Sequence, residues 1–143
     1  KDLLKDYAHA AISLGTKRVM VVCSEDGYDE ISPCTNTYVY QMDNKGNEYH
    51  YVINPEKFGI TDASETELIG GSGEENARLA LEILKGGGRK TIRYAVGLNT
   101  AAILYISGKT RTLKDGYKMA LDAIDSGKAL AKLEEIREFS KSA

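Results

Sequence analysis

Apolar positions in the first fourteen residues fall at Leu3, Leu4, Tyr7, Ala8, Ala11, Ile12 and Leu14. That is the three-and-four spacing of a helix with one buried stripe. Gly15 follows, where a residue able to take positive φ ends a helix. The period then changes. Val19-Met-Val-Val-Cys23 is an unbroken apolar run rich in β-branched residues. Such a run predicts a strand, about 18–23, packed on both faces in a mainly parallel sheet. A helix leading into that strand predicts a crossover from an earlier strand that the chain does not carry.

After Pro33 the sequence partly alternates. Thr37-Tyr-Val-Tyr-Gln-Met42 and Glu48-Tyr-His-Tyr-Val-Ile53 flank the turn cluster Asp43-Asn-Lys-Gly-Asn47, which predicts an antiparallel hairpin. Pro55 ends the second strand. Residues 55–72 read as a loop with one helical turn. From Ser72 the period is helical to the end. Ser72 and Glu75 have capping-box spacing, and Gly86-Gly-Gly88 ends the first of these helices. A second helix, about 89–107, is apolar over most of its surface and is expected to be the most buried. A third runs from Thr112 to Gly127, and a fourth over about 128–139, with a tail from Ser140 that should fray. The expected fold is α/β: the carboxyl-terminal part of a mainly parallel sheet with an antiparallel hairpin, followed by about four packed helices.

Bulk properties change this picture little. The 143 residues make one domain or less, and the net charge is −2. No basic face or stripe suggests nucleic acid. No apolar run nears the roughly 20 residues of a membrane span, and no signal-peptide pattern opens the chain. Cys23 and Cys34 form no CxxC pair and are expected to be free thiols, which fits a cytoplasmic protein.

The chemistry concentrates where the apolar run stops. Four carboxylates, Glu25, Asp26, Asp29 and Glu30, follow Ser24 within six residues, with Gly27 among them. In open α/β sheets, ligands bind beyond the carboxyl ends of the strands. Hard oxygen ligands there suit Mg²⁺, which is held by one or two carboxylates plus substrate phosphates. Taken without context, an Asp-Glu pair is also what any solvated acidic loop would show. Elsewhere, Gly70–Gly73 and Gly86–Gly88 each precede a helix and could cradle phosphate. Glu74 and Glu75 repel phosphate from the first, and a plain interhelix loop accounts for the second. Asn99, amid an apolar helix, reads as a buried amide satisfying backbone. His9 and His50 have no metal-ligand partner at suitable spacing. No Ser/His/Asp or Cys/His set is evident.

The segment Glu25-Asp-Gly-Tyr-Asp-Glu-Ile-Ser32 resembles a signature of the anthranilate phosphoribosyltransferase family. Gly70-Gly-Ser-Gly-Glu-Glu-Asn-Ala77, Leu98-Asn-Thr-Ala-Ala-Ile-Leu-Tyr-Ile-Ser-Gly108 and Ala123-Ile-Asp-Ser-Gly-Lys-Ala-Leu-Ala-Lys-Leu133 resemble later segments of that family, in its order. The resemblance covers only the family's carboxyl-terminal part. It implies transfer of phosphoribosyl from phosphoribosyl pyrophosphate to anthranilate, giving N-(5-phosphoribosyl)anthranilate, a step of tryptophan biosynthesis. It implies Asp29 and Glu30 as ligands of Mg²⁺. Asp26 would support them or play no part. Cys23 and Ser24 depart from the family's usual His and Gly. The family's Gly-Thr-Gly-Gly-Asp loop, its Lys-His-Gly-Asn segment and its anthranilate-contacting arginine segment do not occur here. Residues 1–143 are therefore expected to be a carboxyl-terminal fragment of the phosphoribosyl-transfer domain, inactive alone. Its expected partners are the missing amino-terminal part and, at full length, a second copy in a homodimer. Two alternatives remain: a fragment of a related nucleoside phosphorylase-like transferase, or a non-enzymatic relative of the same fold.

Overall fold

A computed structural model describes residues 1–142. Helix α1 (Leu4–Ser13) leads into β1 (Arg18–Ser24), followed by β2 (Thr37–Asp43) and β3 (Glu48–Ile53). A 3-10 turn (Pro55–Phe58) and five helices complete the chain: α2 (Glu65–Leu68), α3 (Gly73–Leu84), α4 (Lys90–Ile106), α5 (Leu113–Asp125) and α6 (Lys128–Ser142). The three strands lie in the order β1-β2-β3. Val22 pairs with Val39, and Val39 with Tyr51.

Alternation along the strands sets the two faces of the sheet. Val19, Val21, Tyr40 and Met42 pack with Ala8, Leu4 and Ile12 of α1. Met20, Val22 and Val39 pack on the other face with Ile31, Ile53, Leu98, Ala101 and Tyr117, carried largely by α4 and α5. The apolar run Val19–Cys23 thus faces packed side chains on both sides, as its composition implied. Its residues are nevertheless only half-buried, because β1 is an edge strand with no second neighbour among the described residues.

The described strands do not show the mainly parallel character expected of the sheet. Every described pairing is antiparallel. The connection from β1 to β2 contains no helix, so the chain returns beside the strand it left instead of crossing over to run parallel. The hairpin and the four long helices follow the hydrophobic pattern closely. The loop 55–72 carries two short helical turns where one was expected, and α6 continues through Ser142, where fraying was expected. No described helix is long and apolar enough to cross a membrane.

Two glycines let α4 and α5 approach closely. A Cβ on Gly97 would stand 2.7 Å from Cε2 of Tyr117, and one on Gly116 would stand 2.8 Å from the Ala101 carbonyl oxygen. The helix α4 is the most buried of the long helices, as expected, yet part of one face stays uncovered. Val96 is 39% exposed and Ile103 69%. Two open hollows lie along that face, of about 530 Å³ toward α3 and about 400 Å³ toward β1.

Candidate functional site

The acidic loop starts where β1 stops and is closed by its own polar side chains. The amide of Ser24 donates to the Tyr28 carbonyl (3.1 Å), and Glu25 N–H donates to the Asn36 carbonyl (2.9 Å). Gly27 turns the chain at φ 89°, a conformation that side-chain-bearing residues rarely adopt. The hydroxyls of Ser24 and Ser32 both bond the Asp26 carboxylate. Ser32 in turn accepts from the Cys34 amide (3.0 Å), and its own amide donates to the Thr37 hydroxyl (3.1 Å). Ser24, Ser32 and Thr37 are all buried. Asp26 therefore ties the two ends of the loop together. Burial alone would raise its pKa, but hydrogen bonding, chiefly from the Ser24 and Ser32 hydroxyls, outweighs that and holds it below the usual carboxylate range.

Asp29 and Glu30 form the tip of this closed loop and are both exposed. Neither carboxylate takes part in a hydrogen bond or ion pair among the described residues. The two acids thus keep their oxygens available, whereas Asp26 has committed its own to Ser24 and Ser32. Glu30 lines the 530 Å³ hollow together with Asn99, Leu79, Ile83, Ala95 and Val96. Asp29 does not line it.

Immediately after Glu30 the chain is clamped. Asn99 Oδ1 accepts from the Ile31 amide (2.9 Å), and its Nδ2 donates to the Ile31 carbonyl (3.0 Å) and to the Ala95 carbonyl one helical turn back (2.9 Å). One side chain on α4 therefore satisfies both polar groups of Ile31, which is 2% exposed. The reading of Asn99 as an amide serving backbone holds, and its client is the residue next to Glu30. An Asn inside an apolar helix was the sequence signal. Nothing in the sequence indicated which backbone it would meet, 68 positions away.

The glycine-rich segments serve helix entry. In Gly70–Gly73, the Gly71 amide donates to Asn76 Oδ1 (2.9 Å) and the Ser72 amide to Glu75 Oε2 (2.7 Å). Side chains of α3 thus already occupy those donors. A Cβ on Gly71 would lie 2.2 Å from Glu75 Oε2, which explains the small residue there. Beyond Gly86–Gly88, Arg89 donates to the Glu67 and Ile69 carbonyls (3.1 and 2.8 Å), and Lys90 pairs with Asp62. Both cations are engaged within the fold. His9 pairs with Glu48 (3.2 Å). Cys23 and Cys34 are free thiols, as expected. Burial, then the carboxylates of Glu65, Asp26 and Glu67, push the Cys34 thiol up, so it stays protonated.

Among the described residues, no group of three or more His, Cys, Asp or Glu side chains is placed to hold a metal ion. Asp29 and Glu30 carry oxygens of the hard type that Mg²⁺ takes, one or two carboxylates at a time, alongside water and substrate phosphate. Two neighbouring carboxylates with no internal partner are the donor set this chain offers.

The chain resembles proteins of a known family. The profile described as "Glycosyl transferase family, a/b domain" matches residues 1–130. An anthranilate phosphoribosyltransferase of Ruminiclostridium cellulolyticum is 41% identical over 142 residues, covering 99% of this chain and 41% of that protein. The Saccharomyces cerevisiae anthranilate phosphoribosyltransferase in complex with 4-fluoroanthranilate superposes with a TM-score of 0.88 at 28% identity, covering 100% of this chain and 41% of that one. The same yeast enzyme in complex with PRPP and Mg superposes with a TM-score of 0.86 at 28% identity and the same coverage. The chain thus spans about two-fifths of the length of these relatives.

Proposed function

The chain belongs to the glycosyl transferase family, a/b domain, and from that premise we propose that it is part of an anthranilate phosphoribosyltransferase. The parent protein transfers phosphoribosyl from phosphoribosyl pyrophosphate to the amine of anthranilate, giving N-(5-phosphoribosyl)anthranilate for tryptophan biosynthesis. Residues 1–143 are the carboxyl-terminal portion of its transfer domain. The remainder of the site, including the segments that contact anthranilate and the bulk of the diphosphate, comes from the amino-terminal part, and the full-length protein is a homodimer. Two free thiols and a substrate made inside the cell suit a cytoplasmic setting.

Within this reading, Asp29 and Glu30 hold Mg²⁺ beside the diphosphate. When bound, the ion neutralises charge that builds on the departing diphosphate, without any proton transfer. The chain's own contribution is placement. Asp26, Ser24 and Ser32 close the loop, which then offers two exposed acids, Asp29 and Glu30, the second lining the hollow along α4. No nucleophile or general base is required of this chain.

The observation that carries the reading is a division of labour among the loop's acids. Asp26 is spent on closing the loop, while Asp29 and Glu30, the pair in the matching motif, are exposed and without a partner. The test is the rate of N-(5-phosphoribosyl)anthranilate formation by the full-length protein. Asp29→Ala and Glu30→Ala should each lower Mg²⁺-dependent turnover about a hundredfold, given the several kcal/mol of charge stabilisation a metal contributes. Unchanged kinetics would remove the metal assignment. The 143-residue chain assayed alone should give no turnover, and robust activity would refute the fragment reading.

A further inference from the structure

We propose that Asn99 is a positioning residue for the acidic pair, acting as a one-residue substitute for a neighbouring strand. The proposal rests on the assignment of Asp29 and Glu30 as metal ligands and extends it to a residue on a different element.

A carboxylate at the tip of a loop binds metal well only if its backbone is fixed, since otherwise the ordering entropy is lost at binding. Asp26 and the two serines fix the loop at Ser24 and Ser32, on either side of the acidic pair. The peptide groups of Ile31, between Glu30 and Ser32, lie outside that closure. Residues 25–36 form no ladder with a strand, so the peptide groups around Ile31 need other partners. Asn99 provides them. Its amide presents an acceptor to the Ile31 N–H and a donor to the Ile31 C=O, at 2.9 and 3.0 Å, the pairing an adjacent strand would make. Its third bond, to the Ala95 carbonyl at 2.9 Å, fixes the amide's orientation against its own helix. The Ile31 side chain is buried in the core formed with Val39 and Leu98, so the clamp holds from the backbone and from the side chain together. Because the Ile31 N–H belongs to the peptide that joins it to Glu30, the clamp fixes ψ of Glu30. With φ of Glu30 set by the loop, the direction of its Cα–Cβ bond is fixed relative to the hollow that Glu30 and Asn99 both line.

Only an amide of this length performs the task. Asp would lack the two donated bonds. Leu would leave the Ile31 N–H and C=O buried without partners. Gln would displace the amide by one methylene.

The experiment uses Mn²⁺ alone as the probe, since carboxylate oxygens suit it as they suit Mg²⁺. Paramagnetic broadening of the Asp29 and Glu30 amide resonances in the 143-residue chain is followed as Mn²⁺ is added. Asn99→Ala should weaken Mn²⁺ affinity about tenfold, the lower end of what outer partners of metal ligands contribute. It should also accelerate hydrogen exchange at the Ile31 amide. Thr91→Ala is the control. Thr91 is a buried polar residue of the same helix, on which Asn99 is half-buried, and its hydroxyl accepts from the Ser64 amide (3.0 Å). Thr91→Ala should lower thermal stability while leaving Mn²⁺ affinity within twofold. Should Asn99→Ala fail to fold, Asn99→Gln is read the same way.

If Asn99 variants lose stability but bind Mn²⁺ as the wild type does, Asn99 is structural only and the proposal is overturned. If Asp29→Asn with Glu30→Gln leaves the broadening unchanged, the metal assignment itself fails, which is a different result from failure of the clamp.

Discussion

Replacing Gly116 with Ala tests the packing that holds α4, and Asn99 with it, in place. In an ordinary helix, Gly→Ala stabilises by about 0.8–1 kcal/mol. Gly116 has no such freedom. The added Cβ would lie 2.8 Å from the Ala101 carbonyl oxygen and 3.0 Å from the Ala101 Cα. Ordinary contact begins near 3.4 Å, so relief needs a separation of 3.4 − 2.8, or about 0.6 Å. Both facing atoms are backbone and cannot rotate away, so the two helices must part. Overpacking of this kind costs about 1–3 kcal/mol, and after the propensity gain the variant should be less stable by up to about 2 kcal/mol. For a chain of this size that lowers Tm by up to about 6 °C, measured by circular dichroism at 222 nm. Gly97→Ala should cost less. Its Cβ meets the Tyr117 ring at 2.7 Å, and a side chain can tilt. Gly73→Ala, with no atom within 4 Å, should leave Tm unchanged or slightly raised. If Gly116→Ala matches or exceeds the wild-type Tm, the close approach of α4 and α5 is not what this geometry implies.

Two further outcomes follow from the loop and from α3. Asp26 is held below its ordinary pKa, so its contribution to stability is complete above the unfolded-state value, near pH 4, and is lost as pH falls through the lower folded value. Acid titration of urea midpoints should therefore show a shallower loss in Asp26→Asn than in the wild type, and parallel curves would argue against this role. The Ser72 hydroxyl accepts from the Glu75 amide (3.2 Å) while the Glu75 carboxylate accepts from the Ser72 amide (2.7 Å). Ser72→Ala should thus destabilise by about 1 kcal/mol in chemical denaturation.

The elements were legible in the sequence because each carries its own local signal. Gly15 and Gly108 end α1 and α4 with φ near 94° and 75°. The tyrosine-rich alternation around Asp43–Asn47 made the hairpin plain, and Ser72 with Glu75 marked the start of α3. The pairing partner of β1 was not legible. An apolar run states that both faces are covered, but not which strand lies alongside, and Val19–Cys23 pairs with a strand that runs against it. The site divides in the same way. Acid density after a strand pointed to the loop, and the motif singled out Asp29 and Glu30. The use of Asp26 as a closure needed Ser24 and Ser32, eight positions apart, brought together in space. The clamp from Asn99 is a long-range contact: the Asn within an apolar helix was visible in the sequence, and its partner Ile31, 68 positions away, was not.

The unpaired side of β1 also bears on how the chain behaves in a tube. Extended main-chain donors and acceptors, flanked above and below by greasy residues, form a template to which another extended peptide can add. Two copies meeting there would associate through hydrogen bonds that no surface charge screens. Light scattering should accordingly grow with protein concentration well below the melting temperature, and a short peptide that caps this rim should suppress it.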